Sequence, residues 1–98
     1  MTSPRYDMIR ARLSTAFKPY SLELTDESHL HAGHAGAKGG LGHYRVHIVS
    51  SQFAGLRLIA RHQLVYRSLG ALMQTDIHAL SITAQTPDEA QVSISDAI

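Results

Sequence analysis

Three histidines lie close together in a segment of the chain that is rich in glycine and alanine. They are His29, His31 and His34, and the segment runs from Ser28 to Gly42. Imidazole is the commonest metal ligand in proteins and the side chain that changes charge nearest neutral pH. The small neighbouring residues leave the backbone free to turn an imidazole toward a metal ion. The segment is a candidate metal-binding loop in which His31 ranks first, His34 second and His29 third, and an ordinary solvated loop is the alternative.

The chain contains no cysteine. Disulfides and thiolate nucleophiles are therefore excluded, and the chain alone cannot build a four-thiolate zinc or iron–sulfur site. A soft metal cluster would need thiolates from another molecule. Because the histidine-rich half also lacks carboxylates, and no Ser-His-acid arrangement is evident, we expect no enzymatic activity.

The middle half of the chain is cationic, although the net charge is only +1. No Asp or Glu occurs from Ser28 to Thr75, whereas five of the nine Lys and Arg residues and six of the seven His residues lie there. Arg57 and Arg61 are four residues apart on a predicted helix, so both could bind a carboxylate or phosphate of a partner. Two solvated arginines are the alternative. An anionic partner is the expectation.

Four further histidines lie outside the loop. His43 and His47 alternate with Arg45 on one face of a predicted strand, which we expect to be solvated. His78 is expected to be structural, near the start of another strand. His62 lies on the predicted helix that carries Arg61, and the residues alone leave open whether it is a metal ligand or a partly buried capping histidine.

Local patterns in the first half predict a helix and a hairpin. Ser3 and Pro4 are typical of a helix start, and apolar residues at helical spacing continue from there to Phe17, so we expect a helix from Pro4 to Phe17. Alternating apolar residues then predict a strand over 21–25, which ends at Asp26-Glu27, and another over 43–49. Two short strands on either side of the histidine loop favour a hairpin.

The second half predicts helices, a third strand and a last helix. The apolar spacing from Leu56 to Met73 is helical, and we expect a short helix followed by a longer one. Residues 78–86 alternate as a third strand, and a capping box from Thr86 to Glu89 predicts a short terminal helix. We expect residues after about 90 to fray. The order α-β-β-α-α-β-α predicts an α+β domain over 1–98, a three-stranded sheet covered by helices on one face.

The chain has no run of about 18 apolar residues and its first residues do not form a signal peptide, so we expect a cytoplasmic protein.

Several motifs occur in an order that resembles the BolA-like proteins. They are Asp26-Glu27-Ser28 with His31, Tyr44-Arg45-Val46 through Val49-Ser50, Phe53-Ala54-Gly55, Arg61-His62-Gln63-Leu64-Val65-Tyr66, Ile77-His78-Ala79-Leu80, and Thr86-Pro87-Asp88-Glu89. The resemblance implies a fold related to class II KH domains. The chain departs from the family at Gln63, where many members have arginine, and at Ala90, where many have tryptophan.

The resemblance also implies a function in iron–sulfur chemistry. BolA-like proteins are partners of monothiol glutaredoxins and share with them a 2Fe–2S cluster held by a glutaredoxin cysteine, a glutathione thiolate and ligands of the BolA-like chain. Carried over to this sequence, the ligands are expected at His62 and at His31, with His34 as the alternative in the loop. Arg57 and Arg61 would then meet a glutathione carboxylate or a phosphate.

Two other functions stay open. The KH-like topology and the cationic middle suggest a nucleic-acid-binding transcriptional regulator, with DNA as a possible partner, although residues 53–58 offer one glycine where the GxxG loop of KH domains needs two. The loop could also be a simple zinc or nickel site. We expect the isolated chain to be a monomer or a weak homodimer with no cofactor of its own.

Overall fold

The computed structural model describes residues 3–28 and 42–91. Within them the elements are α1 (Pro4–Phe17), β1 (Ser21–Asp26), β2 (Gly42–Val49), a 3-10 turn (Ser51–Phe53), α2 (Leu58–Leu69), α3 (Leu72–Thr75) and β3 (Ile77–Gln85). The histidines of the loop, His29, His31 and His34, lie outside the described residues, as does the chain beyond Gln91.

Helix α1 has the predicted bounds because both of its ends carry local signals. The Ser3 hydroxyl accepts a hydrogen bond from the Tyr6 N–H at 3.1 Å, and Pro4 occupies the first helical position. Lys18 ends the helix in the left-handed conformation (φ 44°) immediately before a proline. The helix buries Ile9, Leu13 and Phe17 against the sheet.

The described strands form one sheet in the order β1-β2-β3. Strands β1 and β2 are antiparallel, which confirms the predicted hairpin, and β2 and β3 are parallel. A parallel pair needs a crossover, which α2 and α3 provide. Tyr44, Val46 and Ile48 of β2 are buried under the helices, and the opposite face is more polar, which confirms a sheet covered on one side.

Two predictions about the helices are wrong. The longer helix, α2, comes before the short one, α3, because Gly70 ends α2 with a positive φ of 54°. Thr86–Glu89 do form the capping box, with the Thr86 hydroxyl accepting from the Glu89 N–H (3.2 Å) and the Glu89 carboxylate accepting from the Thr86 N–H (2.9 Å). Up to Gln91, however, the described chain makes a single turn there and no helix.

The core lies between the helices and the covered face of the sheet. Phe17 of α1 and Phe53 of the 3-10 turn pack with ring centroids 5.1 Å apart. The buried residues of the core are Ile9, Leu13, Phe17, Leu24, Tyr44, Val46, Ile48, Phe53, Val65, Leu69, Leu72, Ile77 and Ala84. In the part of the chain that the structure describes, no helix is long and apolar enough to cross a membrane.

Candidate metal-binding site

The histidine loop leaves and rejoins the sheet at one place. The Glu27 N–H donates to the His43 carbonyl at 2.7 Å, and the His43 N–H donates to the Ser28 hydroxyl at 3.1 Å. The Gly42 N–H donates to the Asp76 carbonyl just before β3. Both ends of the loop are therefore held at the end of the sheet where β2 and β3 begin.

Two imidazoles meet at this end of the sheet. His43 near the start of β2 and His78 near the start of β3 have ring centroids 4.9 Å apart, with the rings tilted by 51°. An irregularity in the β2–β3 register occurs beside them, between Gly42 and His43. His43 is buried, with 9% of its surface exposed, whereas His78 is exposed. A buried and an exposed imidazole thus form a pair beside the loop.

The ring-centroid separation of this pair is that of two imidazoles in direct contact, and it also equals the separation of two imidazole ligands on one metal ion. Imidazole nitrogens bind metals at about 2.0–2.1 Å, which places the ring centroids of two tetrahedral ligands about 5 Å apart. Among the described residues, no group of three or more His, Asp or Glu side chains is arranged to hold a metal. A complete site therefore needs further ligands, and the loop whose two ends are attached beside the pair contains three histidines in its sequence.

His62 lies at the other end of the sheet. It is half-buried and lines a groove with Leu58 of α2, Gln85 of β3 and Glu89. The six residue steps from His78 to Ala84 correspond to about 20 Å of extended strand. The structure therefore places His62 away from the end of the sheet where the histidine loop is attached. The expected pairing of His62 with His31 or His34 involves residues outside the described part of the chain and stays a prediction.

Arg61 is buried and hydrogen-bonded within the chain. Its guanidinium donates to the carbonyls of Leu56 (2.9 Å) and Ala84 (3.1 Å) and forms a two-pronged ion pair with the Glu89 carboxylate. These hydrogen bonds from Arg61, with the one from the Thr86 N–H, lower the pKa of Glu89 from 4.5 to about 2. Arg61 thus joins the start of α2 to the end of β3.

The two predicted anion-binding arginines have different surroundings. Arg57 is exposed at the N-terminal boundary of α2 and makes no side-chain capping bond there. Arg61 would have to exchange bonds within the chain to contact a partner. Anion binding by either residue stays a prediction, and Arg57 is the one that presents its charge to solvent.

The sequence patterns do not predict the pairing of His43 with His78. They indicate a solvated face for His43 and a structural position for His78, but His43 is buried and packs against His78. The two residues are 35 positions apart, so no helical or strand spacing connects them. The only signal in the sequence was that both begin strands of the predicted sheet.

Comparisons with known proteins identify close resemblances over most of the chain. The family model described as "BolA-like protein" matches residues 13–89. "Protein BOLA1, chloroplastic" of Arabidopsis thaliana is 43% identical over 89 residues, which cover 88% of this chain and 56% of that protein. "DNA-binding transcriptional regulator BolA" of Vibrio cholerae is 40% identical over 85 residues, covering 87% of this chain and 77% of that protein.

Solved structures show the same fold. The BolA domain of SufE1 from Arabidopsis thaliana superposes with a TM-score of 0.80 at 38% identity, covering 91% of this chain and 99% of that one. The chain spans only about half the length of the Arabidopsis chloroplast relative, so the likeness concerns the BolA-like portion.

Proposed function

Because the chain belongs to the BolA-like protein family, we propose that it is a non-enzymatic adaptor that binds a monothiol glutaredoxin and contributes imidazoles to a shared 2Fe–2S cluster. The cluster's thiolates would come from the glutaredoxin and from glutathione, since this chain has no cysteine. The observation that carries the proposal is the His43–His78 pair, 4.9 Å between ring centroids, at the base of the histidine loop.

The donor set fits such a cluster. Iron–sulfur sites can replace two thiolates on one iron by two imidazoles, which raises the reduction potential. His43 is buried, so its ring would be held in place, and the exposed His78 lies where a partner can reach it. When bound, the cluster supplies the redox and transfer chemistry. The chain itself orients the imidazoles.

This proposal changes the ligand set that the sequence suggested. His78 and His43 replace His62 as the ligands in the described part of the chain. His31 or His34 remains the proposed ligand from the loop, whose ends lie beside the pair. Arg57 at the start of α2 is available to contact the glutaredoxin, and His62 is assigned no role in binding the cluster or the partner.

The test is to mix the chain with a cluster-loaded monothiol glutaredoxin and record visible absorption and circular dichroism. The variants are His78→Ala, His43→Gln, His31→Ala and His34→Ala, with His62→Ala as the matched control. We expect His78→Ala, His43→Gln and one of the two loop variants, His31→Ala or His34→Ala, to change the visible spectrum. His62→Ala should reproduce the spectrum of the wild-type complex. If only His62→Ala alters the spectrum, the ligand set is wrong; if the wild-type chain leaves the glutaredoxin spectrum unchanged, the adaptor function is wrong.

A second candidate function is DNA binding. The Vibrio cholerae relative is named a DNA-binding transcriptional regulator. Arg57 at the N-cap of α2 and Arg67 in its last turn are both exposed, and no acidic residue lies on that helix. If these arginines contact phosphates, the logarithm of the DNA affinity should fall linearly with the logarithm of salt concentration. Replacing both by glutamine should reduce that slope by about 2. An unchanged slope would exclude α2 as the DNA-binding element.

A further inference from the structure

The two outer edges of the sheet differ. On the β1 edge, the Tyr6 hydroxyl donates to the Leu24 carbonyl at 2.9 Å and Arg10 donates to the Leu22 carbonyl at 3.1 Å. Side chains of α1 therefore satisfy the outward carbonyls of β1. An unpaired strand edge is a template for pairing with another strand, and a cover of this kind prevents it.

The β3 edge has much less cover. The Gln85 carbonyl of β3 points toward β2 and accepts a hydrogen bond from the Ser50 N–H. The Ala84 carbonyl points away from β2, to the open edge, and accepts one from Arg61. Because backbone groups alternate along a strand, those of Leu80 and Ile82 also point outward. Within residues 3–28 and 42–91, no strand pairs with this edge.

Residues 79–85 also lack the features that usually prevent edge pairing. They contain no charged residue and no proline, and the register irregularity of β3 lies before them. Beside this edge, α2 exposes Leu58, which is 65% exposed and lines a groove together with Ile82 of β3. The Arg61–Glu89 ion pair lines the same groove and lies at the Ala84 end of the edge. An uncharged stretch of backbone edge from 79 to 83 is thus continuous with an exposed leucine.

We propose that the β3 edge pairs with the β3 edge of a second copy of this chain, antiparallel and around a two-fold axis at Ser81. In this register, Leu80 lies opposite Ile82 of the second copy, and their outward N–H and C=O groups form the hydrogen bonds of the new pair. The two described sheets become one continuous sheet of six strands.

A second copy fits this edge because the edge is complementary to itself. A two-fold interface brings the same surface together from both sides, and the absence of charged residues from 79 to 83 removes like-charge contacts beside the axis. Arg61, bound to the Ala84 carbonyl, limits the new pairing to these residues. Leu80 and Ile82 supply the branched aliphatic cross-strand pair. Since strand pairing alone buries little surface, the dimer should be weak and should dissociate on dilution.

The absence of native cysteine allows a direct test of the register. Ser81→Cys places one thiol on each side of the two-fold axis. The two Cα atoms of a non-hydrogen-bonded antiparallel pair are about 4.5 Å apart, which lies within the range of Cα separations found in disulfides. Mild oxidation should give a covalent dimer. Thr25→Cys, an exposed site on β1, is the matched control and should stay monomeric under the same oxidation.

Charge exchange tests the same register without a covalent bond. Ala79 lies opposite Thr83 of the second copy, and both positions are exposed. We expect Ala79→Lys with Thr83→Lys to weaken association roughly tenfold by sedimentation, and Ala79→Lys with Thr83→Glu to restore it. Circular dichroism confirms that each variant is folded. A chain that stays monomeric at every concentration, equal crosslinking of the two cysteine variants, or no rescue by the Lys–Glu combination would overturn the proposal.

Discussion

Replacing Arg61 with methionine tests whether this side chain holds α2 to the end of β3. The guanidinium is buried, with 7% of the side chain exposed, and it bonds to the carbonyls of Leu56 and Ala84 and to the Glu89 carboxylate. Methionine keeps most of the apolar stem and removes every donor. The change therefore isolates the hydrogen bonds and the ion pair from the packing of the side chain.

The expected loss of free energy of unfolding depends on which of the acceptors of Arg61 can be reached by water. The Ala84 residue is buried, so its carbonyl loses a donor at a cost of about 1–3 kcal/mol. Leu56 is only half-buried, and water can replace the donor at its carbonyl in part. The Glu89 side chain is 46% exposed and rehydrates, so the ion pair adds less than a fully buried pair would. We expect the free energy of unfolding to fall by about 2–3 kcal/mol.

The assay is urea denaturation followed by far-ultraviolet circular dichroism, together with thermal unfolding. A loss of this size corresponds to a fall in Tm of roughly 10–20 °C for a domain of this length. Arg57→Met is the control, because Arg57 is exposed and makes no side-chain cap; its effect should stay within about 0.5 kcal/mol. Equal effects of the two substitutions, or an unchanged Tm for Arg61→Met, would refute the structural role of Arg61.

Three further predictions concern acid, a glycine and a buried hydroxyl. The pKa of Glu89 in the folded chain is about 2, below the ordinary 4.5, so the ionised Glu89 should stabilise the fold above pH 4.5 and lose this effect as pH falls toward 2. Glu89→Gln should remove this part of the pH dependence of the urea midpoint. A pH profile of the urea midpoint that the substitution leaves unchanged would contradict the prediction. Gly70→Ala forces a side chain onto φ 54° and ψ −129° and should cost about 1–3 kcal/mol in urea denaturation, so a neutral result would contradict that conformation. Ser50→Ala removes the 2.8 Å bond from its hydroxyl to the buried Phe17 carbonyl and should cost about 1–3 kcal/mol in the same assay, whereas a cost within experimental error would show that the bond adds nothing.

Local sequence signals predicted most of the fold. The cap at Ser3 and the stop before Pro19 are read from adjacent residues, and they gave α1 its correct bounds. The order of α2 and α3 was not predicted, because apolar spacing runs through Gly70 and does not show on which side the longer helix lies. The capping box at Thr86 predicts only how a turn starts. Whether a helix continues depends on packing that a local motif does not contain.

The candidate site was only partly predictable. The histidine loop is visible as a cluster in the sequence, but the position of its ends beside His78 depends on β3 running parallel to β2. A parallel strand joins the sheet after a crossover of two helices, so its register cannot be deduced from nearby residues. His62 carried a stronger motif than His78, yet the fold places it at the opposite end of β3.

The adjacency of Arg61 and His62 has a consequence for any experiment on metal binding. Arg61 supports the joint between α2 and β3, so a substitution next to it can reduce the folded fraction and lower cluster binding without removing a ligand. His78 lies about 20 Å of strand away, beyond the distance at which mutational effects usually couple. A ligand assignment is therefore meaningful only when variants are compared at equal folded fraction. Under that condition a spectral change at His78, with none at His62, separates the imidazole pair at the start of β3 from the structural joint at its end.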